Sequence, residues 1–380
     1  MAEKIEKKKE LDRVKLANLN RLNKTSEMLN SKNNWFYVAI ILVNLVTLVV
    51  AWLLESNTNS LAKDVFSGFD YRFLYLLVAS LVIIVLLKTV PDFVYLYKKT
   101  RRRLFGCVIG GNIISSYYGT LTYKSECRDS IYYENFRASK VNESTSKDIV
   151  NSNSISSMIA NVCYSLLIVV LGSIFVINIT NVLLYILAII GLLFSFAIVM
   201  IVLYFGKYKA KYLIAIGNLC KFLYRIKLVK DYEKLYNSLV VKLMKYGSVF
   251  KSNKLYLICK IVGGILIKFI THLILFFVVC SFDVASWELL LEVLFNCVVM
   301  DVVLGMWPMP KGTLLYEIVF LTLYSTIFVG GYVLYGMVVY RFIRYFIIQL
   351  VFGVGYVFGL RKRLKDVNEQ IQVEIKTISE

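Results

Sequence analysis

The sequence predicts an all-α integral membrane protein, a polytopic helix bundle of about six to eight spans with re-entrant or broken segments. Hydrophobic residues make up 58% of its 380 residues, and charged residues only 18%. The mean hydropathy is +0.66, and a soluble fold has too few polar groups to cover so much apolar surface. Only three prolines occur in the chain, which favours long helices over turn-rich loops.

The net charge of +19 fits the same interpretation. Lysines and arginines lie between the apolar runs, where they set the topology and contact anionic lipids of the inner leaflet. A membrane-anchored nucleic-acid-binding protein is the disfavoured alternative, so we expect no nucleic-acid partner.

Cysteine and histidine give no sign of a metal site, a cofactor or a catalytic group. The seven cysteines form no C-x-x-C pair, and several lie inside apolar runs. The single histidine, His272, lies in the apolar run 269–273. One histidine cannot build a zinc site. We interpret His272 as a polar contact within helix packing rather than as a functional group.

The N-terminal segment 1–33 is polar and mixed in charge, and we expect a solvated or membrane-surface helix in the cytosol. More than thirty residues precede the first apolar run, so the start is not a signal peptide. The first two spans are predicted at about 35–54 and 72–97. The basic cluster 98–103 follows the second span and places that end in the cytosol.

The next segments predict a re-entrant element. Residues 104–121 are apolar but short and rich in glycine, and 122–153 are hydrophilic. Two clear spans follow at about 155–178 and 182–205. Residues 207–254 hold twelve lysines and arginines and are therefore cytosolic. Counting back two crossings puts both ends of 104–121 in the cytosol, so we expect a re-entrant hairpin or two half-helices there.

The basic segment 207–254 is also periodic in its apolar residues. It fits amphipathic helices lying on the anionic inner leaflet. A solvated loop fits equally well.

The C-terminal half leaves two topologies open. A span is predicted at about 255–281, followed by an apolar stretch at 287–306 and further apolar runs at 313–339 and 345–359. Three residues with acidic side chains interrupt the second of these runs: Glu288, Glu292 and Asp301. The chain must cross the membrane an odd number of times between 282 and 361 for the basic tail at 361–380 to lie in the cytosol. Three crossings meet this condition, and so does one long bent helix after a second re-entrant segment. Both termini are then cytosolic, and 34–360 forms one membrane domain.

The strongest motif is P-x-P-x-G at 308–312, followed by Glu317 and later by Arg341. Two prolines and a glycine at membrane depth break a helix and leave backbone groups able to face a ligand or cavity. A carboxylate in an apolar run costs a few kcal/mol, so Glu317 needs a partner, for which Arg341 is the candidate. The alternative is a structural kink with a buried ion pair.

This motif resembles the flippase-like transmembrane domain of the lysylphosphatidylglycerol synthases, or multiple peptide resistance factors, in a stand-alone form. That family has a P-x-P-G-G-x-G-x-x-E run and then a helix with Tyr/Trp-Arg and a downstream Tyr. The residues that match the pattern are Pro308, Pro310, Gly312, Glu317, Arg341 and Tyr345. The resemblance implies a lipid-translocating fold with a role in antimicrobial peptide resistance.

The family's second signature is altered here. Thr122 and its aromatic neighbours are kept, but Tyr123 replaces a proline, and Glu126-Cys127-Arg128 replaces a Gly-Gly-Gln-Pro run. By the resemblance, Thr122, Glu126 and Arg128 line a cytosolic entrance. The prolines and Gly312 then shape the outward half of the site, and the Glu317–Arg341 pair contacts a zwitterionic headgroup. Two broken segments in corresponding halves are typical of inverted-repeat transporters.

The first functional hypothesis is therefore a protein of the cytoplasmic membrane that translocates a polar-headed phospholipid or glycolipid, aminoacylated lipids included. Its alternative is an inactive or structural partner of a lipid-modifying system, either as a homo-oligomer or bound to a lipid-synthesising protein. A phosphatidylglycerol lysyltransferase activity is disfavoured, because in the family it resides in a separate soluble domain that this sequence does not show. The ATP-binding pattern G-x-x-x-x-G-K-[ST] does not occur either.

Overall fold

The structure, a computed structural model, describes residues 70, 72–121, 125–175, 182–207, 254–282, 289–306, 314–328 and 332–343, with single residues elsewhere. All regular structure in these residues is helical. The helices are α1 (Arg72–Thr100), α2 (Phe105–Leu121), α3 (Ser125–Ala138), α4 (Glu143–Phe175), α5 (Val182–Lys207), α6 (Lys254–Ser281), α7 (Leu289–Met306), α8 (Leu314–Tyr324) and α9 (Val333–Arg341).

Five of the described helices are long and apolar enough to cross a membrane. They are α1, α4, residues 182–203 of α5, α6 and α7. This supports the predicted multi-pass helical class. The predicted segments 1–33, 35–54, 207–254, 345–359 and 361–380 lie outside the described residues, apart from single helical positions such as Leu42 and Cys220.

Helix α6 lies at the centre of the bundle, packed between α1 and α4, and α7 packs on α4, α5 and α6. The amide of Asp70, just before α1, donates to the carbonyl of Ser281 at the end of α6 (3.0 Å), so these two helices run antiparallel. Lys98 and Lys99 end α1, and Lys254 begins α6. We call this the basic end of the bundle.

Small residues bring the central helices close together. A Cβ built on Gly264 of α6 would lie 2.7 Å from the Cβ of Ala160 on α4. A Cβ on Gly172 would lie 2.2 Å from the ring of Phe295 on α7. Small residues at such crossings are what drive helix association within a bilayer, where the hydrophobic effect offers little.

The predicted break inside 104–121 is wrong, because α2 is one continuous helix. The chain does turn back, however, through α3. The Asn135 side chain donates to the Cys107 carbonyl (2.8 Å), and a Cβ on Gly111 would meet the Tyr132 ring at 2.5 Å. These contacts make α2 and α3 an antiparallel hairpin. Its returning limb is the hydrophilic segment, which can pack because Ile131, Tyr132 and Phe136 are buried.

The polar residues before the third predicted span are also helical. Helix α4 begins at Glu143, twelve residues before the predicted start, and runs unbroken to Phe175. Asn151, Ser152 and Ser156 are buried on its packed faces. Hydropathy alone could not find this extension, because polar side chains satisfied by neighbouring helices reduce the local apolar signal.

The helices in the C-terminal half coincide only in part with the predicted apolar runs. Helix α7 is continuous from Leu289 to Met306 and long enough to span. The predicted apolar run 313–339 contains the two short helices α8 and α9, separated by a turn beginning at Ser325. The described parts of α8 and α9 have 11 and 9 residues.

Candidate functional site

A cluster of polar side chains lies deep in the bundle, where α4, α6 and α7 meet. The Lys268 ammonium is 2.9 Å from Oδ2 of Asp301, and Nε2 of His272 is 3.2 Å from the same oxygen. The Tyr164 hydroxyl lies 3.0 Å from Nδ1 of His272. We call Tyr164, Lys268, His272 and Asp301 the core cluster.

The core cluster is far from either end of α6. His272 follows Lys254 by 18 residues and precedes Ser281 by nine, which at 1.5 Å per residue is about 27 Å and about 14 Å. The hydrocarbon core of a bilayer is about 30 Å thick. If α6 spans it, the cluster lies well inside the apolar region. Ionisable residues at that depth commonly mark substrate or proton pathways.

Hydrogen bonding in the cluster fits a neutral imidazole. Nε2–H of His272 can donate to Asp301 while Nδ1 accepts from the Tyr164 hydroxyl. Asp301 and Lys268 then form a pair with no net charge. The aspartate oxygen that accepts from Lys268 is thus held in place by His272, and His272 is held by Tyr164.

Burial divides the cluster into an inner and an outer part. His272 is only 1% exposed, whereas Lys268 is 25% and Asp301 is 22% exposed. Gly305, one turn beyond Asp301, is exposed, and a Cβ built there would meet no described atom within 4 Å. The ion pair is therefore the part of the core cluster that is partly accessible from outside the described bundle.

The predicted pair Glu317–Arg341 forms in the structure, between α8 and α9. Both side chains are buried, and the Arg341 guanidinium also lies 5.0 Å from the centre of the Tyr316 ring. The second carboxylate oxygen of Glu317 has no hydrogen-bond donor among the described residues. In this conformation the pair ties two short helices together and is closed to a headgroup. Its role in substrate binding stays a prediction.

The other predicted site residues are placed less fully. Arg128 lies on α3, with its guanidinium 3.5 Å from Asp129, whose carboxylate accepts from Ser154 on α4. Glu126 lies in the same helix. Helix α3 packs on α2 and α4, whereas α8 and α9 pack on α7, on α6 and on each other. The remaining predicted site residues lie outside the described residues: Thr122, Pro308, Pro310, Gly312 and Tyr345.

The sequence interpretation did not find the core cluster. The sequence shows Asp301 as a carboxylate in an apolar run and predicts a packing contact for His272. The missed signal is Lys268 and His272, four residues apart on one face of α6. Two ionisable side chains on one face of a spanning helix need a partner, and Asp301 is the carboxylate that lies farthest into the next apolar run.

A second polar centre lies nearer the basic end, around the fully buried Asp92 of α1. Its carboxylate accepts from Tyr256 (2.6 Å), Tyr132 (2.8 Å) and Asn153 (3.1 Å), and Lys260 is 2.8 Å away. These donors belong to α3, α4 and α6. Because the charge is fully satisfied, we interpret this centre as an anchor between four helices rather than as a ligand site.

Comparisons with protein-family models, with curated proteins and with solved structures each found no match to this chain. The resemblance to the flippase-like domain thus remains a hypothesis based on motifs.

Proposed function

We propose that this chain translocates a polar-headed lipid between the leaflets of the membrane in which it resides. The observation that carries the proposal is the Lys268–Asp301 pair, which lies deep in the bundle and is partly accessible from outside it. A headgroup that crosses the apolar core loses its hydration, at a cost of several kcal/mol per unpaired polar group. A charged pair open to lipid can replace part of that hydration halfway across.

The chemistry of the pair fits the headgroup of a phospholipid. A phosphodiester carries one negative charge, which the Lys268 ammonium can bind, and an amine-bearing headgroup can be bound by Asp301. His272 and Tyr164 keep Asp301 oriented while its partner changes. Under this proposal the basic end is the cytosolic end, and Glu126 and Arg128, at the start of α3, lie near the turn of the α2–α3 hairpin and away from that end.

Exchange of labelled lipids between leaflets tests the proposal. The protein is reconstituted into liposomes with headgroup-labelled fluorescent phospholipid, and a membrane-impermeant reductant reports the fraction of label in the outer leaflet. We expect the wild-type chain to expose the inner-leaflet label and Lys268→Met to slow this exchange at least about tenfold, the effect of about 1.4 kcal/mol. No exchange by the wild-type protein, or unchanged exchange in Lys268→Met, would contradict the proposal.

Lys147→Met is the matched control. Lys147 also pairs with a carboxylate, Glu143 (2.5 Å), but both side chains are exposed at the polar start of α4. Its removal deletes one lysine and one ion pair without touching the core cluster. Exchange by this variant should equal that of the wild-type chain.

The closed Glu317–Arg341 pair fits the alternative interpretation of its motif, a structural kink with a buried ion pair. If the pair serves only to hold α8 on α9, Glu317→Gln should lower stability, and Glu317→Gln combined with Arg341→Met should restore both stability and lipid exchange. If the pair binds the headgroup, the double variant should be stable and inactive. Thermal unfolding in detergent and the exchange assay, made on the same preparations, separate these outcomes.

A further inference from the structure

We infer that the core cluster binds a proton and a phosphate-type anion together, with protonation of His272 releasing Lys268 from Asp301 to hold the anion. This inference rests on the proposed function and adds to it the chemical class of the ligand and a coupling ion. The observation behind it is that two nitrogens, Nζ of Lys268 and Nε2 of His272, share a single oxygen of Asp301.

Sharing one oxygen makes the two nitrogens competitors for the same negative charge. With a neutral imidazole, Lys268 alone balances Asp301, and His272 contributes only a hydrogen bond. A proton from water that adds to Nδ1 turns His272 into a cation with two N–H donors. The Tyr164 hydroxyl then accepts from Nδ1 instead of donating to it. Asp301 gains a second, better buried cationic partner, and no covalent bond between heavy atoms changes.

Lys268 is the partner that can leave. Its side chain is a quarter exposed, whereas His272 is buried and fixed on both sides of its ring. A lysine side chain has four carbons of flexible stem and binds as a point charge. Once His272 is charged, the Lys268 ammonium can turn toward the outside of the bundle and meet an anion there.

Charge balance couples the two ligands. Protonation alone leaves the cluster with one net positive charge in an apolar region, which is unfavourable. A bound phosphodiester adds one negative charge and restores neutrality. Each ligand thus raises the affinity for the other by the same factor, as thermodynamic linkage requires. The translocator would in consequence carry protons in the same direction as its anionic lipid.

Among the residues that the structure describes, the helices packed around His272 bring the following groups to it. Helix α4 contributes Tyr164, and α7 contributes Asp301 and, one turn earlier, the buried Cys297 thiol, which contacts the Tyr324 hydroxyl (3.2 Å). On α6 itself the nearest charge is Lys268.

The more distant charges have partners of their own. On α1, Lys88 and Asp92 contact α6 at Lys260, which is twelve residues, or about 18 Å, from His272. On α9, Arg341 pairs with Glu317 of α8. Among the described groups, Asp301 and Lys268 are therefore the charges nearest to His272, and an anion that binds beside them would act on the same imidazole.

The single histidine of the chain makes this inference directly measurable, because a histidine label reports on His272 alone. Tag-free protein with ¹⁵N-labelled histidine is placed in nanodiscs of phosphatidylcholine, with or without phosphatidylglycerol, and the nitrogen spectra give the ratio of protonated to neutral imidazole at fixed pH. We expect phosphatidylglycerol to raise this ratio about tenfold, within the range usual for coupled sites.

Two further arms separate the causes of such a change. Lys268→Met removes the anion's binding partner but leaves the surface pH of the anionic bilayer unchanged, so the ratio should no longer respond beyond that general effect. Inorganic phosphate or glycerol phosphate added to phosphatidylcholine nanodiscs tests a soluble anion as the source. A response to soluble phosphate alone would assign the anion to a soluble ligand and overturn the lipid form of the inference.

An unchanged ratio in every arm would overturn the inference, even if lipid exchange is observed. Conversely, a phosphatidylglycerol response that depends on Lys268, in a protein that exchanges no lipid, would support the binding site and refute the proposed function. The two claims therefore fail in distinguishable ways.

Discussion

The buried carboxylates of this protein differ in how completely their charge is satisfied. Asp92 accepts from three side chains and pairs with a lysine, and Asp301 accepts from two nitrogens. Glu317 pairs with one arginine through one of its oxygens. Neither oxygen of Glu134, on α3, has a hydrogen-bond donor among the described residues. Asp92 is therefore suited to a fixed structural role, and Glu134 is suited to losing its charge.

Glu134 should make stability depend on pH. Its side chain is 2% exposed, and burial raises its pKa from 4.5 to about 7, against the opposing effect of Arg137. The folded state thus favours the neutral carboxyl of Glu134 over the ionised form. The contribution of Glu134 to the free energy of unfolding is complete below pH 4.5 and is lost as the pH rises through 7. We expect Glu134→Gln to stabilise the protein by about 3 kcal/mol at pH 8 and by under about 1 kcal/mol at pH 5.

Thermal unfolding in detergent at the two pH values measures this effect. Glu143→Gln is the control, because Glu143 is an exposed glutamate at the start of α4 and its loss changes the net charge by the same amount. An equal gain from Glu134→Gln at both pH values would show that the carboxylate is not held neutral by burial.

At the scale of single residues, the sequence was informative where both partners lie in recognisable motifs. Glu317 and Arg341 could be proposed as partners because Glu317 is the one charged residue in the apolar run 313–339 and Arg341 closely follows that run. The Tyr164–His272 contact joins residues 108 positions apart. Pattern in one sequence cannot supply that pairing, because it depends on which faces of three helices meet.

At the scale of the elements, one aspartate fixes the relative positions of four helices. Asp92 of α1 contacts Lys260 and Tyr256 of α6, Tyr132 of α3 and Asn153 of α4. Packing of glycine on aromatic rings adds to this, as where Gly111 of α2 meets Tyr132. These polar contacts at the basic end adjoin a small apolar cluster that includes Leu96, Phe136 and Ile149, and a larger apolar cluster fills the rest of the bundle.

Removing the Asp92 charge should destabilise the whole basic end. Asp92→Asn leaves Lys260 buried without a carboxylate, and breaking a buried pair on one side costs about 3–5 kcal/mol. Asp92→Asn combined with Lys260→Met should recover most of this loss, because no uncompensated charge then remains. Equilibrium unfolding in mixed detergents measures the three stabilities.

Asp148→Asn serves as the control for Asp92. Asp148 also accepts from a tyrosine hydroxyl, that of Tyr95 (3.1 Å), but it is less deeply placed on the polar part of α4. Asp148→Asn should therefore lower the free energy of unfolding clearly less than Asp92→Asn does. If Asp92→Asn were no more damaging than Asp148→Asn, the anchoring role of Asp92 would have to be abandoned.

The α2–α3 hairpin shows both the use and the limit of hydropathy. Charge parity predicted that 104–121 turns back on itself, but in the structure the chain turns back only through α3. The position of the turn was wrong, because the returning limb is hydrophilic overall. Its aromatic residues bury one side against α2 and α4, while its charged residues lie elsewhere on the helix. The length of α4 was underestimated for the same reason.

At the scale of the whole molecule, the helical membrane class was predictable because it depends on composition and long apolar runs. The bundle has opposed ends of different chemistry: Lys98, Lys99 and the following arginines at one, and Asp70 with Ser281 at the other. The rule that basic loops stay in the cytosol predicts which end faces inward.

Cysteine labelling in oriented vesicles should show this orientation. In a variant without native cysteines, Lys140→Cys in the turn before α4 should react with an impermeant maleimide only in inside-out vesicles. Asp70→Cys should react only in right-side-out vesicles. The reverse pattern would place the basic end outside and invert the proposed path of the lipid.

The central claim is that a lipid headgroup passes the Lys268–Asp301 pair, and photo-crosslinking tests it most directly. Vesicles containing the protein and a phospholipid with a diazirine on its headgroup are irradiated, and mass spectrometry locates the adducts. The account predicts adducts on α6 and α7 around Lys268 and Asp301 that decrease strongly in Lys268→Met and persist in Lys147→Met. Adducts confined to the helix ends in every variant would contradict it.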